Sequence, residues 1–293
     1  MSQESDTEAE QAQPAGKDSP HLHDHEREQA ADSAQLAARV IHEVLREEGE
    51  VELKRPVGAL IWSGLAAGLS MGFSFLTMAI LKKALAGQPI GEVVAPLGYS
   101  IGFLIAVLGK QQLFTETTLT ATLPIMHQPT WTGFGRLLRM WGVVLIANLI
   151  GTFAFAWLVA RPGFVGPEVA QALRTTAHGA FSDSFGIGVL RAMFSGWLIA
   201  LMVWMLPAAK SAGPLVIVAL TYVVALAEFP HVIAGSTEAA YAVFTGAASW
   251  GDYGASFLAP TLIGNLIGGT TLAALLNHAP VAHEFAARAA AEG

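Results

Sequence analysis

The chain has 293 residues, 53% hydrophobic and 13% charged, with a mean hydropathy of +0.49, which excludes an ordinary soluble domain. Its net charge of −7 is unevenly placed: residues 1–55 carry 14 Asp/Glu against 6 Lys/Arg, leaving 9 acidic and 10 basic residues in the remainder. There is no cysteine, hence neither a disulfide framework nor a thiolate metal site.

Residues 1–31 are rich in Glu, Gln, Ala, Asp and His without an apolar period, and are expected to be a disordered acidic tail. Their polarity is unlike a cleaved signal peptide, so the first membrane segment is expected to serve as the insertion signal. The His21-Leu22-His23-Asp24-His25 run could bind a metal weakly, but nothing orients those side chains, and no metal or other cofactor is expected. Residues 32–55 differ: Leu36, Val40, Ile41, Val44 and Leu45 recur at helical spacing among Arg39, Glu43, Arg46 and Glu47, predicting an amphipathic helix on the cytoplasmic membrane face. Pro56 is well placed to start the next helix.

Residues 56–279 read as an all-α polytopic membrane domain. Spans of about 20 apolar residues are expected near 57–81, 94–125 (broken around 109–115), 136–160, 186–208, 213–248 (broken around 228–237) and 255–277. Six crossings put both termini on one side. Arg46, Lys54, Arg55, Arg136, Arg139, Lys210 and Arg288 favour the cytoplasm, opposed by Lys82, Lys83, Arg161 and Arg174. Residues 280–293 form a short cytoplasmic tail. Gly64, Gly68, Gly72 and Gly264, Gly268, Gly269 are read as close-packing faces.

The spans carry an internal echo. Leu145-Ile146-Ala147-Asn148-Leu149-Ile150-Gly151 recurs as Leu262-Ile263-Gly264-Asn265-Leu266-Ile267-Gly268, and a polar interruption precedes each copy. Paired interruptions in two halves point to a transporter with internal repeats and a midplane site. Lipid offers backbone no hydrogen-bond partners, so non-helical chain survives there only where buried or lining a path.

Ionisable residues at such depth are functional candidates. His231 lies in the second break, and an unperturbed histidine titrates near physiological pH. It could protonate a passing weak-acid anion, or cap exposed backbone as a neutral ring. Glu116 and Glu238 follow Thr115 and Thr237 in the two interruptions. They could relay protons or repel anions, or else pair with Lys110 or Arg191 or bond free helix-end amides; Glu228 completes this possible charge network. Leu113 and Phe114 are either an apolar constriction or packing residues. No catalytic motif occurs, and no enzyme activity is expected.

The Gln112-Leu113-Phe114-Thr115-Glu116-Thr117-Thr118 segment, Ser195-Gly196-Trp197, Trp204-Met205, Phe229-Pro230-His231 and the Asn265 motif resemble the formate/nitrite transporter family over roughly 57–277. The acidic N-terminal extension and Gln111 to Glu116 look most like its YfdC-like branch. The resemblance implies an aquaporin-like protomer with two inverted three-helix repeats, helices 2 and 5 broken, in a homopentamer of the inner membrane. It implies small monovalent weak-acid anions as substrates and no nucleic-acid partner. By the same resemblance, His231 is the central pore histidine and Thr115 its partner. Leu113, Phe114 and Phe103 fall on the cytoplasmic constriction, and Tyr99 and Val224 on the outer one, with a small Ala234. The family's fourth-helix asparagine and outer lysine positions read Gly196 and about Ala180.

The expected function is therefore a channel or proton-coupled transporter for such anions in the bilayer. Two alternatives stand beside it: an aquaporin-like pore for neutral solutes, which lacks paired Asn-Pro-Ala caps here, and a membrane scaffold or sensor recruiting a partner through residues 1–55.

Overall fold

A computed structural model describes residues 36–181 and 184–282, together with Pro20, His21, His23–His25 and Arg27. Most of the expected acidic tail and of the C-terminal tail lies outside the described residues. Among those described there is no strand. Helix α1 (Ala38–Leu53) precedes α2 (Val57–Ala84), α3 (Gly91–Leu108), the short α4 (Phe114–Thr120) and α5 (Thr122–His127), and α6 (Trp131–Val159). Then follow α7 (Pro167–Gly179), α8 (Phe185–Ala209), α9 (Gly213–Leu226), α10 (Ala234–Phe244) and α11 (Trp250–Ala282).

Five helical runs are long and apolar enough to cross a membrane: α2, α3, α6, the run Phe185–Leu226 and α11. That fourth run is two helices. Lys210 adopts φ 47° between α8 and α9, and Arg191 near the start of α8 donates to the carbonyls of Ala227 and Glu228 just past the end of α9. The two helices are therefore antiparallel. Trp62, Ile146, Ile150, Leu190 and Leu215 project outward from these long helices, where hydrocarbon or another protomer can cover them.

The core is built by two helix pairs, α2 on α6 and α8 on α11. Each short segment crosses to the other pair. Helix α4 packs on α8 and α11, and α10 packs on α6 and α2. Both approaches need absent side chains. A Cβ on Gly68 would lie 2.1 Å from the Asn148 carbonyl oxygen, and one on Gly196 2.4 Å from that of Asn265. Gly196 occupies the position where the resemblance implies an asparagine, and no side chain fits there without moving α11.

Helix α1 is amphipathic, but its docked face is Ile41, His42, Leu45, Gly49 and Leu53, whereas Leu36, Val40 and Val44 remain exposed. Two contacts set that rotation. Gly49 lies so close to Thr120 that a Cβ would stand 2.0 Å from its carbonyl oxygen, and His42 reaches across to His278. Arg139 donates to the carbonyls of Leu53 and Arg55, closing the C-terminal end of α1. Helix α7 was not anticipated from the apolar runs, being too short and polar to span. Its signal was Pro167 at the first helical position and the recurrence of Val169, Leu173 and Ala177.

His42 has no solvent exposure, stands edge-on to Trp204 and has Nε2 2.8 Å from His278 Nδ1. Burial first, then the neighbouring His278, lowers its pKa from 6.5 to about 4; Glu43 opposes this, while His127 and Arg46 add to it. The undocked helix thus binds more protons between these two values. The contribution of His42 to the docking of α1 is at full strength above pH 6.5 and declines as pH falls toward 4, while Glu52, its pKa raised by burial, contributes in the opposite direction. Amide exchange across residues 38–53, corrected for intrinsic chemistry, should accelerate between about pH 7.5 and 5. His42→Phe should flatten that dependence; equal protection of the wild-type helix at both pH values would contradict it.

Candidate functional site

The two helix interruptions are built alike. After α3, Lys110 takes φ 50° and the Gln111 N–H reaches back to the Ala106 carbonyl at 2.9 Å; after α9, Glu228 takes φ 53° and the Phe229 N–H reaches back to Val224 at 2.9 Å. Helix resumes at Phe114 and at Ala234. In each case an asparagine ties down the loose backbone. Asn148 Oδ1 accepts from the Phe114 N–H at 2.9 Å, while its Nδ2 donates to the carbonyls of Gly64 (2.7 Å) and Gln112 (3.0 Å). Asn265 Oδ1 accepts from the Val232 N–H at 2.8 Å, and its Nδ2 donates to the carbonyls of Ala192 (2.8 Å) and Pro230 (3.1 Å) and lies 2.9 Å from Ser195 Oγ. Ser195 Oγ also donates to the Pro230 carbonyl. A planar amide with two donors and one acceptor is matched to this task.

The second interruption ends earlier than its polar residues suggest. Ser236, Thr237 and Glu238 are already helical, because the His231 ring takes over the start of α10: its Nδ1 accepts from the Ala234 N–H at 3.2 Å, and its carbonyl accepts from Gly235 at 2.9 Å. The first interruption likewise closes at Leu113, leaving Thr115 and Glu116 in the first turn of α4.

His231 and Thr115, 116 positions apart, meet at 2.8 Å between Nε2 and Oγ1, both side chains about 1% exposed. With Nδ1 occupied as an acceptor, the ring is the neutral tautomer carrying its proton on Nε2, and Thr115 Oγ1 accepts it. Phe103 stands edge-on to the imidazole at 5.1 Å between ring centroids, and Tyr99 lies 5.3 Å beyond Phe103. Leu113, Phe114 and Phe103 are buried in the same core as Tyr99 and Val224.

Cavities open to either side of this cluster. One of about 350 Å³ is lined by Tyr99, Val224, His231 and Glu238, with Ala180 at its rim. The other, of about 780 Å³, is lined by Lys110, Gln111, Gln112 and Glu116 and roofed by α1 through Glu48 and Glu52. Glu52 anchors that roof: its carboxylate accepts from Gln112 Nε2 (3.1 Å) and Thr120 Oγ1 (2.7 Å), and burial raises its pKa despite those bonds. The charge network anticipated from the sequence is not assembled as a unit. Glu228 pairs with Arg191 at 3.8 Å, while among the described residues neither Glu116 nor Glu238 makes a salt bridge or a side-chain hydrogen bond, and Lys110 forms no ion pair. The two asparagines and Gln112 had no assigned role in the sequence reading, although the repeated motif placed Asn148 and Asn265 at equivalent positions.

The profile of the formate/nitrite transporter family matches residues 39–279. The chain belongs to that family. Within it, the inner membrane protein YfdC of Escherichia coli (strain K12) is 42% identical over 255 residues, covering 87% of this chain and 82% of the relative. The fold also matches two solved structures. An FNT family ion channel aligns with a TM-score of 0.68 at 18% identity, covering 81% of this chain and 96% of that one. A pentameric formate channel with formate bound aligns with a TM-score of 0.62 at 17% identity, covering 75% and 95%. These formate/nitrite transporter structures share the architecture of the present chain; at such identities they speak for the fold alone.

Replacing Asn148 by leucine leaves the Phe114 amide and the Gln112 carbonyl unpaired, and replacing Asn265 leaves the Val232 amide unpaired while Ser195 still serves the Pro230 carbonyl; each orphaned group costs about 1–3 kcal/mol. Asn148→Leu should therefore lose about 2–6 kcal/mol and Asn265→Leu about 1–3 kcal/mol of stability, read as a drop in thermal midpoint in detergent. An unchanged midpoint in either variant would show that its interruption is held by other contacts.

Proposed function

We propose that this member of the formate/nitrite transporter family is a channel or proton-coupled transporter for small monovalent weak-acid anions of the formate or nitrite type. The observation that carries the reading is the buried Thr115–His231 hydrogen bond. It joins the two helix interruptions at a point flanked by a cavity on each side. Family membership and the fold shared with a pentameric formate channel support it.

In this proposal residues 56–279 form six membrane helices in two inverted repeats, with α3/α4 and α9/α10 as the broken members. Five copies assemble in the inner membrane with both termini cytoplasmic. The matched bonds of Asn148 and Asn265 support the repeat, and the apolar outer faces support burial in lipid or between protomers. The protein acts in transport rather than as an enzyme. The α1 region lies on the cytoplasmic side.

The mechanism follows from charge. An anion stripped of water in an apolar passage faces a cost of several kcal/mol or more, which protonation removes. Thr115 accepts the Nε2 proton of His231, leaving its own hydroxyl hydrogen to donate to a substrate oxygen. Passing that proton to the anion, with the Nε2 proton following onto Thr115, requires the ring to regain a proton at Nδ1. That nitrogen is held by the Ala234 N–H, so the ring must release this bond in each cycle. The neutral acid then passes the apolar girdle of Leu113, Phe114 and Phe103, and Tyr99 and Val224 line the opposite approach.

Proteoliposome flux of formate over about pH 5 to 8 tests the relay. His231→Asn should retain the assembly but lose the wild-type pH dependence, and Thr115→Ala should show a related, milder change. Wild-type-like flux from His231→Asn across that range would leave His231 as a structural cap of α10.

A further inference from the structure

Glu116 and Glu238 stand in comparable surroundings, although not at matching positions of the repeat: Glu116 lies two residues past the asparagine-bonded amide of Phe114, and Glu238 six past that of Val232. Each follows a threonine in a short helix, and each lines one of the two cavities. Three bland explanations for such carboxyls are pairing with a base, capping of a helix end, or a hydrogen-bonded core position. The geometry favours none of them. Arg191 is engaged with the carbonyls of Ala227 and Glu228, and Lys82 donates to Thr176 Oγ1 at 3.1 Å. Arg55 donates to Gln112, and no ion pair joins Lys110 to Glu116. Glu116 Oε1 is shut off from solvent with no hydrogen-bond partner, as is Thr237 Oγ1 beside Glu238. The Phe114 and Ala234 amides that open the two short helices are taken by Asn148 and the His231 ring.

The rest of each cavity adds to the acidity. The larger one carries Glu47, Glu48, Glu52 and Glu116 against Arg55 and Lys110. The smaller one carries Glu92, Glu228 and Glu238 against Lys82 and Arg191, with His231 and Tyr99 as its other titratable groups. Acids outnumber bases on both sides. That is a poor lining for an anion which must keep its charge.

We infer that Glu116 and Glu238 are specificity-determining carboxyls, one in each vestibule, that exclude permanently charged anions and restrict passage to weak acids able to cross uncharged. The inference rests on the channel reading above and narrows its substrate class. The two protonation states act differently: the ionised one excludes anions, and the neutral one favours those that can take its proton. An ionised carboxylate repels any anion at close range in a cavity of low polarity. A neutral carboxyl can pass its proton to a weak-acid anion, giving the neutral acid and a glutamate carboxylate that is recharged from vestibule water. Nitrate or chloride accepts no proton at these pH values and gains nothing from the encounter. Discrimination of this kind comes from a built-in unfavourable interaction rather than from tighter binding of the preferred substrate.

The test compares formate with nitrate and chloride as probes, using the full chain reconstituted in proteoliposomes at one pH. Wild-type protein should pass formate faster than either permanent anion by about tenfold or more, and Glu116→Gln/Glu238→Gln should shrink that ratio by a similar factor, through faster nitrate and chloride flux where the carboxyls are ionised and slower formate flux where they are neutral. Each single variant should give part of the change. Equal wild-type flux of formate and nitrate would overturn the inference while leaving the channel reading intact, and this outcome does not depend on any variant folding. An unchanged ratio in a well-folded double variant would overturn it too. Wild-type protein that passed none of the three probes would sink the channel reading itself.

Discussion

A peptide unit released from a helix inside hydrocarbon has no water to bond, and the structure is organised around satisfying that demand at two places. Asn148 supplies an acceptor to the Phe114 amide that opens α4 and Asn265 one to the Val232 amide two residues ahead of α10, and each donates to the carbonyl two residues before that amide. The same side chains hold the neighbouring helix through the carbonyls of Gly64 and Ala192. Interruption and helix packing are thus one interaction. An apolar residue at either position would orphan at least one buried amide, Phe114 or Val232, at a cost of about 1–3 kcal/mol. The close approach this requires explains Gly68 and Gly196, whose missing Cβ atoms leave room for the asparagine backbones.

Once the two interruptions are held, their side chains can be brought face to face. Thr115 lies in the first turn of α4 and His231 three residues before α10, and each short helix leans on the helix pair of the other half. Their hydrogen bond therefore reports the relative position of the two halves. The ring is positioned from both ends, by Ala234 at Nδ1 and by Thr115 at Nε2, with Phe103 against its edge. A histidine so constrained has one tautomer, and any change in its protonation must be accompanied by movement. This links proton chemistry in the site to local mechanics of the second interruption.

The electrostatic character of the chain is divided in a comparable way. Bases beside the site are mostly engaged: Arg139 with the end of α1, Arg55 with Gln112, Arg191 with the end of α9, Lys82 with α7. The carboxyls Glu116 and Glu238 are left facing the cavities without such partners among the described residues. Glu52 shows the contrasting case. It is committed to Gln112 and Thr120, and so fastens α1 to the first interruption.

The membrane character, the span positions, both interruptions and the family were legible in the sequence, because each is a local property. Apolar runs of fixed length, polar residues inside them and the repeated Asn148 and Asn265 motif need no knowledge of neighbours. Helix α1 was legible as amphipathic, but not its docked face, since Gly49 against Thr120 and His42 against His278 are contacts between residues far apart in the chain. The extent of the second interruption was misjudged for a related reason: Ser236 to Glu238 look like loop residues until the His231 ring is seen capping α10. Whether Glu116 and Glu238 pair with the available bases was equally open, because partner choice depends on which side chains tertiary packing brings within reach. By itself, the sequence determined which segments are apolar enough to enter a bilayer, where polar residues interrupt them and which residues there carry ionisable groups. Only the tertiary structure decided which of those residues meet, since hydrogen bonds act over about 3 Å while His231 and Thr115 lie 116 positions apart.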